Sequence, residues 1–246
     1  MEAAGRVCVV TGAARGIGAA LAEALRAAGA EAVVRVDIRD GDGVQRCDVT
    51  VEPEVAALID RVWREHGRID IFCSNAGIAV GGGPEAADAD WDRIWRVNTL
   101  AHVYMARHLV PRMLERGEGY LVGTVSAAGL LNHVTAMPYG VTKAAALSLF
   151  EWLSIAHGDA GLRVSALCPQ GVRTDMLGFG DSMSELLAQN ALEPEQVAQA
   201  VLDGMREERF LILPHPEVAR YFANRADDNE RWLRGMRKMR AGLAKG

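Results

Sequence analysis

The chain has 246 residues, of which 50% are hydrophobic and 24% charged, and its formal net charge at pH 7 is -5. A chain of this length can bury a large core within one domain. Its interleaved, net negative charge argues against nucleic acid as a partner, because a phosphate backbone requires a basic face. No apolar run approaches the roughly 20 residues of a membrane span, and the first strand starts too early for a secretion signal. We therefore expect a cytoplasmic protein without membrane contact.

Strand-like apolar runs alternate with helical segments along the chain. Strands are predicted near 6–11, 32–37, 70–74, 119–125, 162–168 and 210–213, and helices near 16–28, 53–66, 88–115, 138–157 and 194–207. No strand is expected between 74 and 119, because Gly81-Gly-Gly-Pro84 cannot sustain a ladder. The alternation predicts an α/β fold: a doubly wound parallel sheet of Rossmann type with helices on both faces, in a single domain over 1–246.

A glycine-rich turn, Thr11-Gly-Ala-Ala-Arg-Gly-Ile-Gly18, lies between the first predicted strand and the first predicted helix. Gly12, Gly16 and Gly18 remove side chains where the backbone would approach a pyrophosphate, and the following helix offers unpaired N–H groups. The order strand, glycine turn, helix indicates a dinucleotide site. A tight turn without a ligand is the alternative interpretation.

The second predicted strand ends in Asp37, whose carboxylate can accept hydrogen bonds from both hydroxyls of an adenosine ribose. A 2′-phosphate would bring close to two negative charges beside that carboxylate. The sequence therefore favours NAD over NADP as the cofactor. Arg15 and Arg39 lie near enough in sequence to leave NADP open.

Tyr139 and Lys143 are four residues apart in a predicted helix, so their side chains share one face. Unit charges about 4 Å apart in a medium of dielectric near 20 interact by roughly 4 kcal/mol. We therefore expect Lys143 to lower the pKa of Tyr139 toward neutrality, where a phenol can exchange protons. A single Tyr-x-x-x-Lys is a weak signal, and a half-buried aromatic beside an exposed lysine is the alternative.

The chain resembles the classical short-chain dehydrogenases/reductases over nearly its whole length. Four features carry the resemblance: the glycine-rich turn, the pair Asp48-Val49, the turn Asn75-Ala-Gly77, and the order and spacing of Asn98, Ser126, Tyr139 and Lys143. The resemblance implies that Tyr139 is the catalytic acid/base and that Ser126 hydrogen-bonds the substrate oxygen. It implies that Lys143 also binds the nicotinamide ribose, and that Asn98 holds a water next to it.

The resemblance also implies which residues contact the cofactor. They are Gly12, Arg15, Gly16, Ile17, Gly18, Asp37, Asp48, Val49, Asn75, Ala76, Gly77, Tyr139, Lys143, Pro169, Val172 and Thr174. One position departs from the family pattern, because Gln170 stands where the family has a glycine after Pro169. A glycine-like backbone at Gln170 would cost about 1 kcal/mol or more. Its amide could instead point into the substrate cavity.

The segment 175–192 contains exposed-looking apolar side chains between glycines, which is typical of a loop that covers a site. We predict that it is a lid over an apolar substrate, with a loop packed on the domain as the alternative. The predicted substrate-binding residues are Ser126, His133, Met137, Gln170, Met176 and Phe179, with Trp91 as a further wall residue. His133 could equally face solvent or a neighbouring subunit.

The segment 215–246 is predicted to be a helical extension, basic on one face and apolar along Trp232, Met236 and Met239. We expect it to pack on its own domain or on a second subunit rather than on a membrane or an acidic partner. By resemblance, a homotetramer is expected. The six histidines show no metal-ligand spacing, so no metal is predicted, and the four cysteines are expected to be buried thiols.

These observations predict an oxidoreductase that transfers a hydride between NAD(H) and a secondary alcohol or ketone, with an apolar or ring-bearing substrate. An NADPH-dependent carbonyl or 3-oxoacyl thioester reductase is the alternative within the same class. A non-catalytic NAD(H)-sensing protein is the alternative of another class.

Overall fold

A computed structural model of the protein describes residues 1–177 and 182–243. Its seven strands form one parallel sheet in the order β3-β2-β1-β4-β5-β6-β7. The strands are β1 (Val7–Thr11), β2 (Ala32–Asp37), β3 (Val44–Arg46), β4 (Ile71–Ser74), β5 (Gly119–Thr124), β6 (Leu162–Leu167) and β7 (Leu211–Ile212). The order reverses between β1 and β4, and ligands of such sheets bind at that point.

Helices connect successive strands on both sides of the sheet. They are α1 (Gly16–Ala27), α2 (Glu52–His66), α3 (Asp88–Trp95), α4 (Ala101–Arg116), α5 (Ala127–Leu131), α6 (Met137–His157), α7 (Ser182–Ala188), α8 (Pro194–Arg206), α9 (Glu217–Asp227) and α10 (Asn229–Leu243). A π-helical turn, Arg96–Leu100, joins α3 to α4, and short 3-10 turns lie at Gly158–Ala160 and Asp175–Leu177.

The two faces of the sheet carry separate hydrophobic clusters. Leu21 of α1 and Val201 of α8 are fully buried on one face, and Leu58 of α2 and Phe150 of α6 are buried on the other. Every residue of β1, β4 and β5 is buried, as expected for strands covered by helices on both sides. The predicted doubly wound fold is confirmed.

Several elements differ from the sequence prediction. The edge strand β3 was not predicted, because three residues of mixed polarity carry no strand pattern. The helix predicted over 88–115 is interrupted by the π-helical turn, in which Asn98 turns its amide to the backbone of Ile78. Helices α5 and α7 lie in segments predicted as loops. Between β4 and β5 the structure has no named strand, as expected, and Gly82 makes only an isolated bridge with Ala136.

Across the described ranges, 1–177 and 182–243, no helix is both long enough and apolar enough to cross a bilayer.

Candidate active site

A cavity of about 1630 Å³ opens at the carboxyl ends of the strands. All sixteen residues predicted to contact the cofactor line it, as do Ser126, Tyr139 and Lys143 of the predicted catalytic set. The volume exceeds the upper end of about 1,000 Å³ for a pocket that holds one small ligand. The cavity therefore has room for two molecules side by side.

The glycine-rich turn forms a cradle that side chains would fill. Gly12 and Gly16 have φ values of +69° and +56°, and a Cβ on Gly12 would lie 2.9 Å from Cα of Ala76. A Cβ on Gly18 would lie 2.1 Å from the carbonyl oxygen of Gly12. The first turn of α1 has no side-chain cap and no acidic residue, so its N–H groups are open to an anion. These features fit the pyrophosphate of a dinucleotide.

Thr11 and Asn75 fasten the ends of three neighbouring strands around this cradle. The Thr11 hydroxyl accepts hydrogen bonds from the backbone N–H groups of Asn75 and Ala76, at 3.0 and 3.1 Å. The Asn75 amide donates to the Thr11 carbonyl at 2.9 Å, and its oxygen accepts from the Thr124 hydroxyl at 3.0 Å. Asn75 therefore holds β1, β4 and β5 in register, a role that its motif alone did not indicate.

Asp37 lies at the end of β2 on the wall of the cavity. Its two carboxylate oxygens each accept a backbone N–H, from Ala14 and from Arg39, both at 3.0 Å. These bonds fix the carboxylate at the site where an adenosine ribose is expected. Arg15 and Arg39 both line the cavity, and Arg15 also forms an exposed ion pair with Asp175.

Arg35, which the sequence analysis did not single out, fixes the backbone on the side of the cavity where adenosine is expected. Its guanidinium donates to the carbonyl oxygens of Ala13 and Asp42, at 3.1 and 3.2 Å. One side chain thus ties the glycine-rich turn to the loop after β2. The signal in the sequence that could have identified Arg35 is its charge within the apolar run of β2.

Asp48 and Val49 line the cavity after β3. The Asp48 carboxylate accepts from the backbone N–H and the hydroxyl of Thr50, at 2.9 and 2.7 Å. Its own N–H donates to Glu54 at 2.8 Å. The turn is therefore fixed by its own side chains before any ligand binds.

Ser126, Tyr139 and Lys143 meet on the opposite wall. Ser126 follows β5 and caps α5, where its hydroxyl accepts from the N–H of Ala128 at 3.1 Å. Tyr139 lies in the first turn of α6, which begins with Pro138 near its N-terminus. The Ser126 hydroxyl also hydrogen-bonds the Tyr139 side chain.

The electrostatics of this triad differ from the sequence expectation. Burial raises the pKa of Tyr139, and the hydrogen bond from Ser126 opposes that rise only in part. The Lys143 ammonium lies 5.7 Å from the centroid of the Tyr139 ring and donates to the Thr124 carbonyl at 2.8 Å. Burial also lowers the pKa of Lys143 to about 8. The expectation that Lys143 brings the tyrosine pKa toward neutrality was therefore wrong for this arrangement, because burial is the largest influence on both groups.

Asn98 is buried behind the triad and does not line the cavity. Its amide pairs with both backbone groups of Ile78 at 2.9 Å and donates to the Thr142 hydroxyl at 3.2 Å. These bonds hold the turn after Gly77 against α6. The water-holding role implied by the resemblance remains a prediction.

On the substrate side, His133, Gln170 and Met176 line the cavity as predicted. The backbone of Gln170 avoids the left-handed region, so the substitution of the family glycine causes no strain there. Its N–H donates to Nδ1 of His215 at 3.2 Å. His215, a buried residue that the sequence analysis missed, lines the same wall, and burial lowers its pKa.

Three other predicted wall residues have different outcomes. Met137, the first residue of α6, is 41% exposed and does not line the cavity. Its contact with a substrate stays a prediction. Trp91 in α3 also lies outside the lining. Phe179 lies outside the described residues.

Within the predicted lid, the described residues 175–177 and 182–192 contribute side chains to the cavity, and the two flanks of the segment are joined to each other. Val172 bridges Leu192, and Gly171 accepts a hydrogen bond from Leu192 at 3.1 Å. Met176, Met183 and Leu187 line the cavity from this segment. The sequence analysis treated it as a loop, whereas Ser182–Ala188 form the helix α7.

The four cysteines are buried and free of disulfides, and burial raises the pKa of Cys8 and Cys168 to about 12. Over residues 1–177 and 182–243, no group of three or more His, Cys, Asp or Glu side chains is arranged to hold a metal ion.

Comparison with known proteins gives a family model that matches residues 6–184, described as short chain dehydrogenase. That match covers more than half of the chain and includes the glycine-rich turn and the triad. The chain belongs to the short-chain dehydrogenase/reductase family.

The chain is 31% identical to 1-deoxy-11-beta-hydroxypentalenate dehydrogenase of Streptomyces exfoliatus, over 91% of its own length and 88% of the relative's. It is 33% identical to cis-4-hydroxycyclohexanecarboxylate dehydrogenase of Sinomonas cyclohexanicum, over 80% and 87% of the two chains. A crystal structure of a family member from Burkholderia phymatum in complex with NAD superposes with a TM-score of 0.84 at 28% identity, over 94% and 96%.

Family membership and the cradle together establish the coarse function. The dehydrogenase is an oxidoreductase that acts on alcohol or ketone groups and binds a nicotinamide cofactor. The family match ends at residue 184, so α8, α9 and α10 lie beyond it.

Proposed function

We propose that this dehydrogenase transfers a hydride between NAD(H) and an apolar, ring-bearing secondary alcohol or its ketone. The observation that carries the proposal is that Ser126, Tyr139 and Lys143 share one cavity with the glycine cradle and Asp37. Such a site positions an alcohol carbon and a dinucleotide in one enclosed space.

Each residue of the site has a separate role in the proposed reaction. A nicotinamide dinucleotide supplies the hydride acceptor or donor when bound. Ser126 donates a hydrogen bond to the substrate oxygen, and Tyr139 exchanges the proton of that oxygen. We assign Lys143 to the nicotinamide ribose, because its ammonium faces the Gly77 turn, 3.4 Å from where a Cβ on Gly77 would lie, and is next to the Tyr139 ring. Asn98 holds the Gly77 turn that faces this ammonium.

The fixed carboxylate of Asp37 supports NAD as the cofactor. A 2′-phosphate placed there would face a negative charge that two backbone donors hold in position, whereas ribose hydroxyls can donate to the remaining lone pairs of that carboxylate. The solved family member in complex with NAD agrees with this choice. Arg39 in the cavity wall favours the alternative, an NADPH-dependent reductase of carbonyl or 3-oxoacyl thioester groups.

The character of the substrate side supports a ring-bearing alcohol. Leu131, Met176, Met183 and Leu186 give this wall an apolar surface. Two relatives, the hydroxypentalenate and hydroxycyclohexanecarboxylate dehydrogenases, are named for hydroxylated ring compounds. We infer the same general class here, and we infer that 175–192 acts as a lid that excludes water from it.

The exposed face of α6 supports self-association. Val141, Trp152 and Ile155 are 39%, 62% and 84% exposed and fall on one side of the helix. Exposed apolar side chains in such a row are typical of a protein interface. We propose a cytoplasmic homotetramer, for which sedimentation at micromolar concentration is the test.

Tyr139→Phe tests the catalytic assignment. The variant keeps the ring but loses the proton-exchanging hydroxyl, so turnover should fall by a factor of about 100 or more while NADH affinity stays within a few-fold. Alcohol-dependent NADH formation and NADH titration measure the two effects. Near-normal turnover would contradict the assignment. If the native protein binds NADH but oxidises no alcohol in a broad panel, it is a cofactor sensor.

Asp37→Ala tests the cofactor choice. Removing the carboxylate takes away the ribose contact and the repulsion of a 2′-phosphate, so the ratio of the NADPH to NADH dissociation constants should fall by about tenfold or more. Both constants are measured by fluorescence titration of native and variant proteins. Tighter NADPH binding by the native protein would favour the reductase alternative.

A further inference from the structure

The helix α10 has an apolar stripe but no buried residue. Trp232, Met236 and Met239 recur at helical spacing on one face, and none of the helix's fifteen residues is buried. A helix of a folded domain ordinarily buries its apolar stripe against the core. The apolar stripe of α10 is therefore not fully covered by the core.

The apolar stripe faces the active-site cavity. Trp232, Gly235, Met236 and Met239 all line the cavity, together with Tyr221 from α9. Leu233, the direct neighbour of Trp232, is 43% exposed and is absent from the lining, because it lies on another side of the helix. The apolar stripe is thus the face of α10 that lines the cavity.

The start of α10 is anchored near the catalytic wall. Asp228 accepts from the N–H of Arg231 at 2.8 Å and so caps the helix. In the preceding helix, the Arg225 guanidinium donates to the carbonyl oxygen of Leu130, in the helix that Ser126 caps. Trp232 also packs on the core cluster that contains Leu130. These contacts place the first turn of α10 close to the reaction site.

The far end of α10 approaches the glycine-rich loop at 81–83. Backbone hydrogen bonds at Glu85 and Gly83 lower the pKa of Glu85, and the charge of Arg240 adds to that effect. The part of α10 that lines the cavity runs from Trp232, beside the catalytic wall, to Met239. The charged residues of α10 are exposed and keep its other faces in water.

We propose that α10 is the specificity-determining wall for the distal rings of the substrate. The inference rests on the proposed function and names what the stripe binds: the part of a fused-ring alcohol beyond the ring that carries the reacting hydroxyl. Binding of those rings buries the stripe, which removes apolar surface from water. Methionine side chains adapt to irregular apolar shapes, which suits rings of varied outline. A one-ring alcohol is too short to need this wall.

The double variant Met236→Gln/Met239→Gln tests the wall, with Leu233→Gln as the matched control. The substrates are cyclohexanol and a four-ring hydroxysteroid, both with NAD. For the double variant, kcat/KM should fall at least tenfold with the steroid and less than threefold with cyclohexanol. The control should match the native protein with both. Equal losses with the two substrates, or no loss with the steroid, would overturn the inference.

Fluorescence gives a readout that does not depend on turnover. Addition of the steroid to the native protein with NAD should change tryptophan emission, and Trp232→Phe should remove most of that change. An unchanged response in Trp232→Phe would count against contact with α10. If the native protein oxidises neither alcohol, the broad alcohol panel decides the proposed function, and the fluorescence comparison separately decides whether the stripe binds fused rings.

Discussion

At the scale of single residues, the site contains a buried amine, that of Lys143. Lys143 is 3% exposed, and burial lowers its pKa to about 8 from an ordinary value of 10.5. Its ammonium donates to one backbone carbonyl, that of Thr124. Burying a cation with so few partners costs stability, and active sites commonly carry such a cost for function.

Lys143→Met makes this cost measurable. Between about pH 8 and about pH 10 the unfolded chain binds more protons at this lysine than the folded protein does. The free energy of unfolding of the native protein should therefore rise over that range relative to the variant. Urea unfolding of both proteins at several pH values measures the difference. Lys238→Met, at an exposed position, is the control, and a pH-independent difference for Lys143→Met would contradict the argument.

The sequence predicted which side chains lie together in the site better than it predicted their pKa values. The spacing of Tyr139 and Lys143 placed both on one helix face, and the structure keeps them adjacent. The sign of the tyrosine pKa shift was missed, because burial depends on α5, α6 and β5 packing together. No local spacing reports that packing.

At the scale of elements, the two ends of the sheet have different tasks. The carboxyl ends carry the cavity, whereas the amino ends are fastened by Asp70, which is fully buried before β4. Its carboxylate accepts from the N–H of Val7 at 2.8 Å, from Arg68 at 2.9 Å and from Arg116 at 2.7 Å. Burial alone would raise the pKa of Asp70, but these hydrogen bonds outweigh it and lower the pKa below 3.8.

Asp70→Asn should lower the free energy of unfolding at neutral pH by about 2 kcal/mol, since it weakens charge-assisted bonds in a buried place. Because the folded pKa is lowered, the contribution is present above 3.8 and lost as the pH falls below it. The two proteins should therefore converge in acid. Asp60→Asn, at an exposed ion pair with Arg112, should change stability by less than about 1 kcal/mol. If the difference in the free energy of unfolding between the native protein and Asp70→Asn stayed the same in acid, the argument would be contradicted.

The elements that sequence patterns predicted are those with a long, regular pattern. Helix α6 and strands β1 and β5 were predicted within a few residues because apolar periodicity and turn residues mark them. The short strand β3 and the π-helical turn at Arg96–Leu100 were missed. Their form depends on pairing with β2 and on the Asn98 amide, which are contacts between distant segments.

At the scale of the whole molecule, one sheet edge gathers residues from most of the chain. The cavity extends from the glycine-rich turn to α10, and the residues expected to bind the dinucleotide, from Gly12 to Thr174, come from many segments that only the folded chain brings together. A ligand that binds only the folded state stabilises it by mass action.

Cofactor binding should therefore raise the melting temperature. NAD at about 100 times its dissociation constant adds about 2.7 kcal/mol of stability. For a chain of this size that corresponds to a rise of roughly 5 to 10 °C. Scanning fluorimetry with NAD and NADP measures it, and at equal concentrations the rise should be larger with NAD. A rise with NADP alone would contradict the cofactor assignment.

The sequence by itself determined the doubly wound sheet apart from β3, the cofactor end of the cavity and the chemical identity of the side chains that we propose to be catalytic. Each of these follows from short-range patterns: period, glycine spacing and polar residues at strand ends. The tertiary structure decided the tyrosine pKa, the fastening role of Asn75 and the place of α10 on the cavity wall. Those depend on burial and on contacts between distant segments, which exist only once the chain has folded.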